Sequence, residues 1–170
     1  MAKTFVISDT HFNHAGILDF KDYIGKPVRG FDSVEQMNQC MLDNWNDTVG
    51  PKDTVIHCGD VLFGLDKVDW LTANFAKLPG KKRLVLGNHD NPKHLAPFFK
   101  DIQLWIDMPG FIFTHTPLHE STLAEAHRFK EPKLNVHGHI HTNPSPEGPY
   151  KCVCVEQINY TPVDIEDLRA

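Results

Sequence analysis

The stretch TVIHCGD, residues 54–60, decides how the rest of the chain is interpreted. Its first five residues form a run rich in β-branched side chains that is too short for a helix, which predicts a strand over 54–58. Gly59 and Asp60 follow at once, so the strand would end on a residue that permits a tight turn and on a carboxylate. Similar runs followed by polar side chains recur along the chain, so the same arrangement is expected at several strand ends.

Other short apolar runs also predict strands, and helical patterns lie between them. Near-continuous apolar strands indicate a sheet covered on both faces, as in α/β domains. The additional strands are expected over residues 3–8, 83–86, 111–114 and 134–137, with further candidates at 102–106 and 150–156. Helices are expected over 34–46, which begins with a capping box of Ser33 and Gln36, and over 67–78, 92–99 and 119–129. No linker divides the pattern, so residues 1–170 are predicted to form a single domain.

Side chains that can bind a metal follow each of the five main strands. Because ligand sites of open α/β sheets collect at the carboxyl ends of strands, segments that are distant in the chain are expected to meet at one edge. These segments are Asp9-Thr10-His11, Gly59-Asp60, Gly87-Asn88-His89-Asp90, His115 and Gly138-His139-Ile140-His141. One such segment would be weak evidence for a site, whereas five in order are strong evidence.

The spacing within these segments has a physical rationale. Asp9 and His11 are two residues apart, so in extended backbone both side chains would point the same way, and His139 and His141 share that spacing. The glycines that precede several of the candidate ligands leave room for tight turns and close backbone approach; they are Gly59, Gly87 and Gly138.

The donor set itself indicates the kind of metal. It mixes imidazole nitrogen with carboxylate and amide oxygen and contains no thiolate, which suits Mn²⁺, Fe, Zn²⁺ or Ni²⁺. The candidate ligands are too many for one tetrahedral ion and about right for two ions that share a carboxylate; they are Asp9, His11, Asp60, Asn88, His115, His139 and His141.

The blocks DTH, GD, GNHD, TH and GHIH resemble the ordered motifs of the calcineurin-like metallophosphoesterases, over residues 4 to about 141. Within that superfamily, the segments ISDTHFNHAGI and DTVIHCGDVLFG are most similar to small bacterial and phage phosphoesterases. The resemblance implies an α/β fold, a four-layer α-β-β-α sandwich of two mixed sheets flanked by helices.

The resemblance also implies a role for each candidate residue. One divalent ion would be held by Asp9, His11 and His141, and the other by Asn88, His115 and His139. Asp60 would bridge both ions and is therefore essential to catalysis. His89 would be catalytic without being a ligand, since it would face the phosphate and stabilise charge or protonate the leaving oxygen.

One position departs from the family pattern. Many relatives carry an aspartate three residues after the bridging aspartate, where it orients the histidine of the GNH block, but this chain has Phe63 there. Either another group orients His89, with Asp66 and Asp90 the nearest candidates in sequence, or His89 is held loosely.

The predicted activity is a dinuclear-metal-dependent hydrolysis of phosphoesters with a metal-bridging hydroxide as the nucleophile. Mn²⁺ is the first choice of metal. The substrate would be a small phosphodiester, including cyclic nucleotides, or a phosphomonoester. Residues 12–32 and 116–133 are expected to form the pocket walls, with His14 as a candidate substrate contact, while Arg29 and Arg128 are weaker candidates for binding phosphate.

Composition limits the alternatives. The net charge of −5 argues against a protein built to grip the nucleic-acid backbone, so a nuclease is less favoured than a small-molecule enzyme. A non-catalytic interaction module on the same fold is a third hypothesis. Such a module need not keep every candidate ligand, whereas this chain has all of them.

No apolar stretch approaches the length of a membrane span, and the four cysteines lack a C-x-x-C spacing, so a cytoplasmic protein with reduced thiols and no membrane partner is expected. The sequence does not predict the oligomeric state.

Overall fold

The computed structural model describes residues 1–64, 67–123 and 133–169, which form two mixed β-sheets with flanking helices. The strands are β1 Thr4–Ile7, β2 Thr54–His57, β3 Lys81–Val85, β4 Ile102–Gln103, β5 Trp105–Met108, β6 Phe111–Thr114, β7 Leu134–His137, β8 Tyr150–Cys152 and β9 Val163–Asp164. The α-helices are α1 Val34–Thr48, α2 Lys67–Ala73 and α3 Pro92–Leu95. Short 3-10 helices cover Ala15–Asp19, Phe75–Lys77, Ala96–Phe98, Val155–Gln157 and Ile165–Arg169.

The first sheet has the strand order β4-β3-β2-β1-β9, and the second has the order β5-β6-β7-β8. Strands β1 to β4 are parallel to their neighbours, with Val6 opposite Ile56, and β9 runs antiparallel to β1. In the second sheet β5 is antiparallel to β6, whereas β6, β7 and β8 are parallel. Both sheets are therefore mixed, as the family resemblance implies.

Alternation along the strands divides the core into two clusters. On β1, Phe5 and Ile7 pack with the helix side chains Met41 and Trp45 on one face of the first sheet. Val6 faces the other way and packs against the second sheet, in a cluster that includes Phe113. The predicted layering is thus confirmed for the two sheets and for the helices that cover the first sheet.

Most of the predicted elements are present, with differences that have local causes. The helix over 34–46 extends to Thr48, and Ser33 caps it by accepting a hydrogen bond from the Gln36 N–H (3.1 Å). The helix expected over 92–99 changes to 3-10 geometry after Leu95, since Pro97 has no N–H for an α-helical bond. The prediction over 67–78 likewise divides into α2 and a 3-10 turn. Of the helix expected over 119–129, only positions 120–123 are described as helical, and the remainder lies outside the described residues.

Two strand predictions were wrong in extent. The run 102–106 divides between two sheets, since Ile102–Gln103 pairs with β3 and Trp105–Met108 pairs with β6. The run 150–156 is a strand only to Cys152, after which the chain forms a 3-10 turn over Val155–Gln157. In the described part of the chain, no helix has the length and apolar character needed to cross a bilayer.

The carboxyl ends of the strands from both sheets meet at one edge. The Asp9 N–H donates to the Gly59 carbonyl (2.9 Å), which ties the ends of β1 and β2 together. The Gly138 N–H donates to the His115 carbonyl (2.8 Å), which does the same for the ends of β6 and β7. The five segments singled out in the sequence therefore converge on this edge.

Candidate dinuclear metal centre

The structure brings the candidate ligands together as two groups. The ligand atoms within each group lie within 4.8 Å of one another, and the groups are Asp9, His11 and His141, and Asp60, His115 and His139. We call them the first group and the second group. Asn88 belongs with the second, because its Oδ1 lies 2.8 Å from His115 Nε2 and 3.0 Å from His139 Nδ1.

Asp9 lies at the centre of the first group and is fully buried. Its Oδ2 accepts hydrogen bonds from the Ser8 hydroxyl (2.6 Å), the His139 N–H (2.8 Å) and the Cys154 thiol (3.3 Å). Among the described residues Asp9 Oδ1 has no hydrogen-bond partner, although it is buried and lies 3.7 Å from His11 Nε2. A buried carboxylate oxygen without a donor is costly unless a cation compensates it, so this atom fits a metal ligand.

His11 and His141 complete the first group. Both ring nitrogens of His11 are buried and lack a hydrogen-bond partner in the described part of the chain, which again fits ligation of a cation. His141 Nε2 lies 3.9 Å from Asp9 Oδ1. Burial opposes ionisation of Asp9, but its contacts with His11, His115 and His141 outweigh burial and hold its pKa well below the ordinary range.

Asp60 belongs to the second group but also faces the first. Its Oδ2 is 3.6 Å from His11 Nε2 in the first group and 3.4 Å from His115 Nε2 in the second. Its Oδ1 accepts a hydrogen bond from the His89 N–H (2.9 Å), which fixes the orientation of the carboxylate. Asp60 Oδ2 is therefore the oxygen that both groups could share.

His115 is oriented by the backbone, since its Nδ1 lies 2.8 Å from the Cys58 carbonyl and its Nε2 faces the second group. Burial opposes protonation of His115, but Asp60 and Asp9 outweigh burial and raise its pKa to about 9. The surroundings therefore favour a positive charge at this point. The resident charge would be a proton on the imidazole or a metal ion bound to it.

The backbone of the ligands corrects one expectation. We expected Asp9 and His11, and likewise His139 and His141, to converge in extended backbone, but these residues adopt left-handed conformations. The positive φ angles are 55° at Asp9, 44° at His11, 56° at Asp60, 71° at His139 and 50° at His141. Such a conformation costs on the order of 1–3 kcal/mol per residue and is concentrated at functional sites. The strand stops, and each ligand turns out of the sheet edge instead of continuing it.

The glycines of these segments allow the close approach that was expected. A Cβ on Gly59, which has a φ of +98°, would lie 2.6 Å from His115 Nδ1 and 2.7 Å from the Gly87 backbone. A Cβ on Gly138 would overlap the Ser8 and Asp9 side chains. Side chains at these positions would displace His115 and Asp9, which are candidate ligands.

No pattern in the sequence indicated the residues that support the first group from the buried side. Arg29 is 1% exposed, and its guanidinium donates to the Asp9 carbonyl (2.5 Å), the Thr10 carbonyl (2.8 Å) and Glu156 Oε1 (2.8 Å). Glu156 Oε1 also lies 3.0 Å from His141 Nδ1, which directs His141 Nε2 toward Asp9. The suggestion that Arg29 contacts substrate was therefore wrong, because it is buried beneath the site. Arg128 lies outside the described residues.

His89 is exposed at the surface of the site, as a group facing the phosphate would be. Its ring lies 5.7 Å from the His11 ring and 5.7 Å from the Phe63 ring, edge to face in both cases. Asp90 does not orient His89, because its carboxylate accepts from the N–H groups of Asp60, Val61 and Gly87, each at 2.9 Å. Asp90 instead ties the second and third ligand segments together. Asp66 lies outside the described residues.

His14 borders the first group. Its ring lies 5.7 Å from the His11 ring and 4.1 Å from the Phe63 ring. Burial, followed by the nearby His11 and Arg29, lowers the pKa of His14 to about 4. His14 is therefore neutral at pH 7 and could contact a substrate as a hydrogen-bonding group.

Two cavities open beside the metal groups. One, of about 510 Å³, is lined by residues of the 12–32 insert, including Ile17 and Tyr23, and by His141 of the first group. The other, of about 560 Å³, is lined by Asn88 and His115 of the second group together with mostly apolar side chains. Each group of ligands thus has its own neighbouring cavity.

The two mixed sheets and the two groups of candidate ligands fit a family of metal-dependent hydrolases that uses a dinuclear metal site. Residues 3–153 match the model of the calcineurin-like phosphoesterase superfamily domain. The chain therefore belongs to that superfamily and is a metal-dependent phosphoesterase.

Several relatives span the same region. An uncharacterized protein of Methanocaldococcus jannaschii is 33% identical over 98% of this chain and 89% of its own length. The gene 66 protein of Mycobacterium phage L5 is 29% identical over 68% of this chain, and the match spans about half (51%) of that protein. A crystal structure of an Aquifex aeolicus protein of unknown function has 29% identity and a TM-score of 0.73, with 99% of this chain and 98% of that chain covered. An archaeal phosphodiesterase structure shares the fold at 21% identity and a TM-score of 0.50, with coverage of 89% and 82%.

Proposed function

We propose that this protein hydrolyses small phosphodiesters at a centre of two divalent ions, with Mn²⁺ as the preferred metal. The observation that carries the proposal is the position of Asp60 Oδ2, which lies 3.6 Å from His11 Nε2 and 3.4 Å from His115 Nε2. One carboxylate oxygen facing the imidazoles of both groups is the arrangement that a shared ligand requires. Asp9, His11 and His141 would hold one ion, and Asn88, His115 and His139 the other.

Two ions bound in this way would clamp the phosphoryl group, offset its charge and lower the pKa of a water molecule. The remaining roles fall to the chain itself. His89 is exposed beside His11 and is held through its backbone N–H by Asp60, which supports a role in protonating the leaving oxygen. His14, neutral and next to His11, would hydrogen-bond the substrate.

The two cavities favour a diester over a monoester. A phosphodiester carries two organic substituents on one phosphorus atom, and a cavity opens beside each metal group. A phosphomonoester would need only one of them. The solved archaeal phosphodiesterase that shares the fold is consistent with this preference.

The experiment is a reconstitution of metal-stripped protein with Mn²⁺, Ni²⁺, Zn²⁺ or Mg²⁺. The substrates should include phosphomonoesters, linear phosphodiesters, 2′,3′- and 3′,5′-cyclic nucleotides, and single-stranded DNA and RNA. We expect linear or cyclic diesters to be cleaved fastest with Mn²⁺. Cleavage of nucleic acid above all others would indicate a nuclease, and no cleavage with any metal would contradict the proposed function.

A further inference from the structure

The cavity beside the second group is built on the outer face of the second sheet. Ile106 and Phe113 point inward to the core, so Trp105, Ile112 and Thr114 point outward by alternation. In the register of β5 and β6, Trp105 lies opposite Thr114. Side chains from Leu86 and from the segment after β6 close the cavity. We call it the tryptophan cavity, defined by Leu86, Leu104, Trp105, Ile112, Leu118 and Thr122.

The lining of the tryptophan cavity is apolar and aromatic. Within the part of the chain that the structure describes, its lining residues include no aspartate, glutamate, lysine or arginine. Leu104 is 70% exposed and Trp105 is 55% exposed, so two adjacent large apolar side chains are open to solvent beside the candidate ligands. A cavity of about 560 Å³ with this lining suits an uncharged, planar organic group and not a second phosphate or a sugar acid.

The cavity is continuous with the metal centre. Asn88 and His115 line it, and both belong to the second group. A substituent on a phosphorus atom held at the centre could therefore enter the cavity directly. Thr122 lies in the same lining, and its hydroxyl could pair with a polar edge of a bound ring.

The position of His89 indicates which substituent enters. His89 packs beside His11 and Phe63, on the side of the first group, and is not part of the cavity lining. The leaving oxygen would lie near His89, so the substituent that reaches the tryptophan cavity would be the one that stays on the phosphorus.

We propose that the tryptophan cavity binds the non-leaving ester substituent of the substrate, an uncharged planar aromatic group such as a nucleobase or an aryl ring, which stacks on Trp105. This inference rests on the proposed function, since it assumes a phosphodiester bound at the metal centre. Stacking on an aromatic side chain is insensitive to which ring is bound, because every base has a π-face. The cavity would therefore select for a planar group and not for one particular base.

The test uses Mn²⁺-loaded protein and three diesters that share a p-nitrophenolate leaving group. The retained substituent is thymidine (through its 5′-oxygen), phenyl or methyl, so differences among them report on that substituent alone. For Trp105→Ala we expect KM to rise about tenfold for the thymidine and phenyl diesters, with kcat nearly unchanged and no effect on the methyl diester. Trp105→Phe should retain most of the affinity, and Trp105→Leu, which keeps apolar bulk without a ring face, should resemble the alanine variant.

Product inhibition gives a second readout. Thymidine 5′-phosphate should inhibit wild-type protein more strongly than methyl phosphate, and Trp105→Ala should remove that difference. Since Trp105 faces outward, its variants should melt at the wild-type temperature. Equal KM changes for all three diesters, or no change for any, would overturn the inference while leaving the proposed function intact. Failure of wild-type protein to cleave any of the three diesters would instead count against the proposed function and the inference that rests on it.

Discussion

The two groups of candidate ligands differ in how their side chains are held. In the first group, Asp9 and His11 are buried, and Arg29 and Glu156 fix the backbone and His141 from behind. Their ligand atoms stand 3.7–3.9 Å apart. In the second group, His139 and Asn88 are exposed, and Asn88 Oδ1, His115 Nε2 and His139 Nδ1 lie within 3.2 Å of one another.

This difference has a consequence for metal binding. In the first group, the candidate ligand atoms are already separated, and several of them have no hydrogen-bond partner among the described residues that a cation would have to displace. In the second group, the candidate ligand atoms lie within hydrogen-bonding distance of one another, so an ion must replace those hydrogen bonds. We therefore expect the first group to bind its metal more tightly and to release it more slowly than the second.

Replacing Asp60, the proposed shared ligand, should weaken metal binding at both groups and so remove the difference in affinity between them. We expect Asp60→Asn to lower metal content at both sites and to reduce turnover by several orders of magnitude, because the amide keeps the shape but loses the charge that two cations require. Metal analysis by mass spectrometry together with diester hydrolysis would measure this. Asp43→Asn, an exposed change on α1, serves as the control. Hydrolysis by Asp60→Asn at the wild-type rate would refute the two-metal account.

His89 should matter for chemistry and not for either metal group. We expect His89→Ala to retain both ions and to lose about 10²–10⁴-fold in kcat, the usual contribution of a general acid. The loss should be smallest for substrates with good leaving groups such as p-nitrophenolate, which need little protonation. If His89→Ala loses metal, the residue has been assigned the wrong role.

Glu156 should separate the two groups. It contacts His141 and Arg29 but none of the ligands of the second group in the described structure. We expect Glu156→Gln to weaken metal affinity about 10- to 100-fold, as is typical when a partner of a metal-binding histidine is changed. Titration calorimetry of the metal-free protein would show whether one binding phase changes or both. An equal loss of affinity in both binding phases would mean that Glu156 does not act on the first group alone.

The smallest expected effect is kinetic. Dilute chelator added to Mn²⁺-loaded protein should remove the two ions in two steps, with the ion of the exposed second group leaving first. Stopped-flow measurement with a metal indicator would resolve the steps, and Glu156→Gln should accelerate only the slower one. Release of both ions in a single step in the wild-type protein would contradict the expectation that the first group holds its ion longer than the second.

The sequence predicted that the candidate ligands meet at one edge because each of their segments follows a strand within a few residues. A run such as TVIHC predicts its own strand, and the parallel order of β1, β2 and β3 then brings Asp9, Asp60 and Asn88 to one edge. The left-handed backbone at Asp9 and His11 could not be predicted from the sequence, because the turn of the chain out of the sheet imposes it. The sequence accordingly predicted which candidate side chains meet at this edge, but it predicted the wrong local backbone geometry for them.

Residues that act over long separations were not predicted. Arg29 and Glu156 are 127 positions apart, and no local pattern links them. Trp105 was included in a strand that was expected to extend from residue 102, and only the division of that run between two sheets places its ring beside the second group. Asp90 was considered a partner of the His89 ring, whereas it binds backbone N–H groups of two ligand segments.

The most direct test of the central claim is a crystal structure of the Mn²⁺-loaded protein with anomalous data collected near the manganese edge. The account predicts two anomalous peaks roughly 3.5–4 Å apart, with Asp60 Oδ2 within bonding distance of both. Asp9, His11 and His141 should surround one peak, and Asn88, His115 and His139 the other. A single peak, or two peaks of which Asp60 binds only one, would contradict the shared-carboxylate centre on which the proposed function depends.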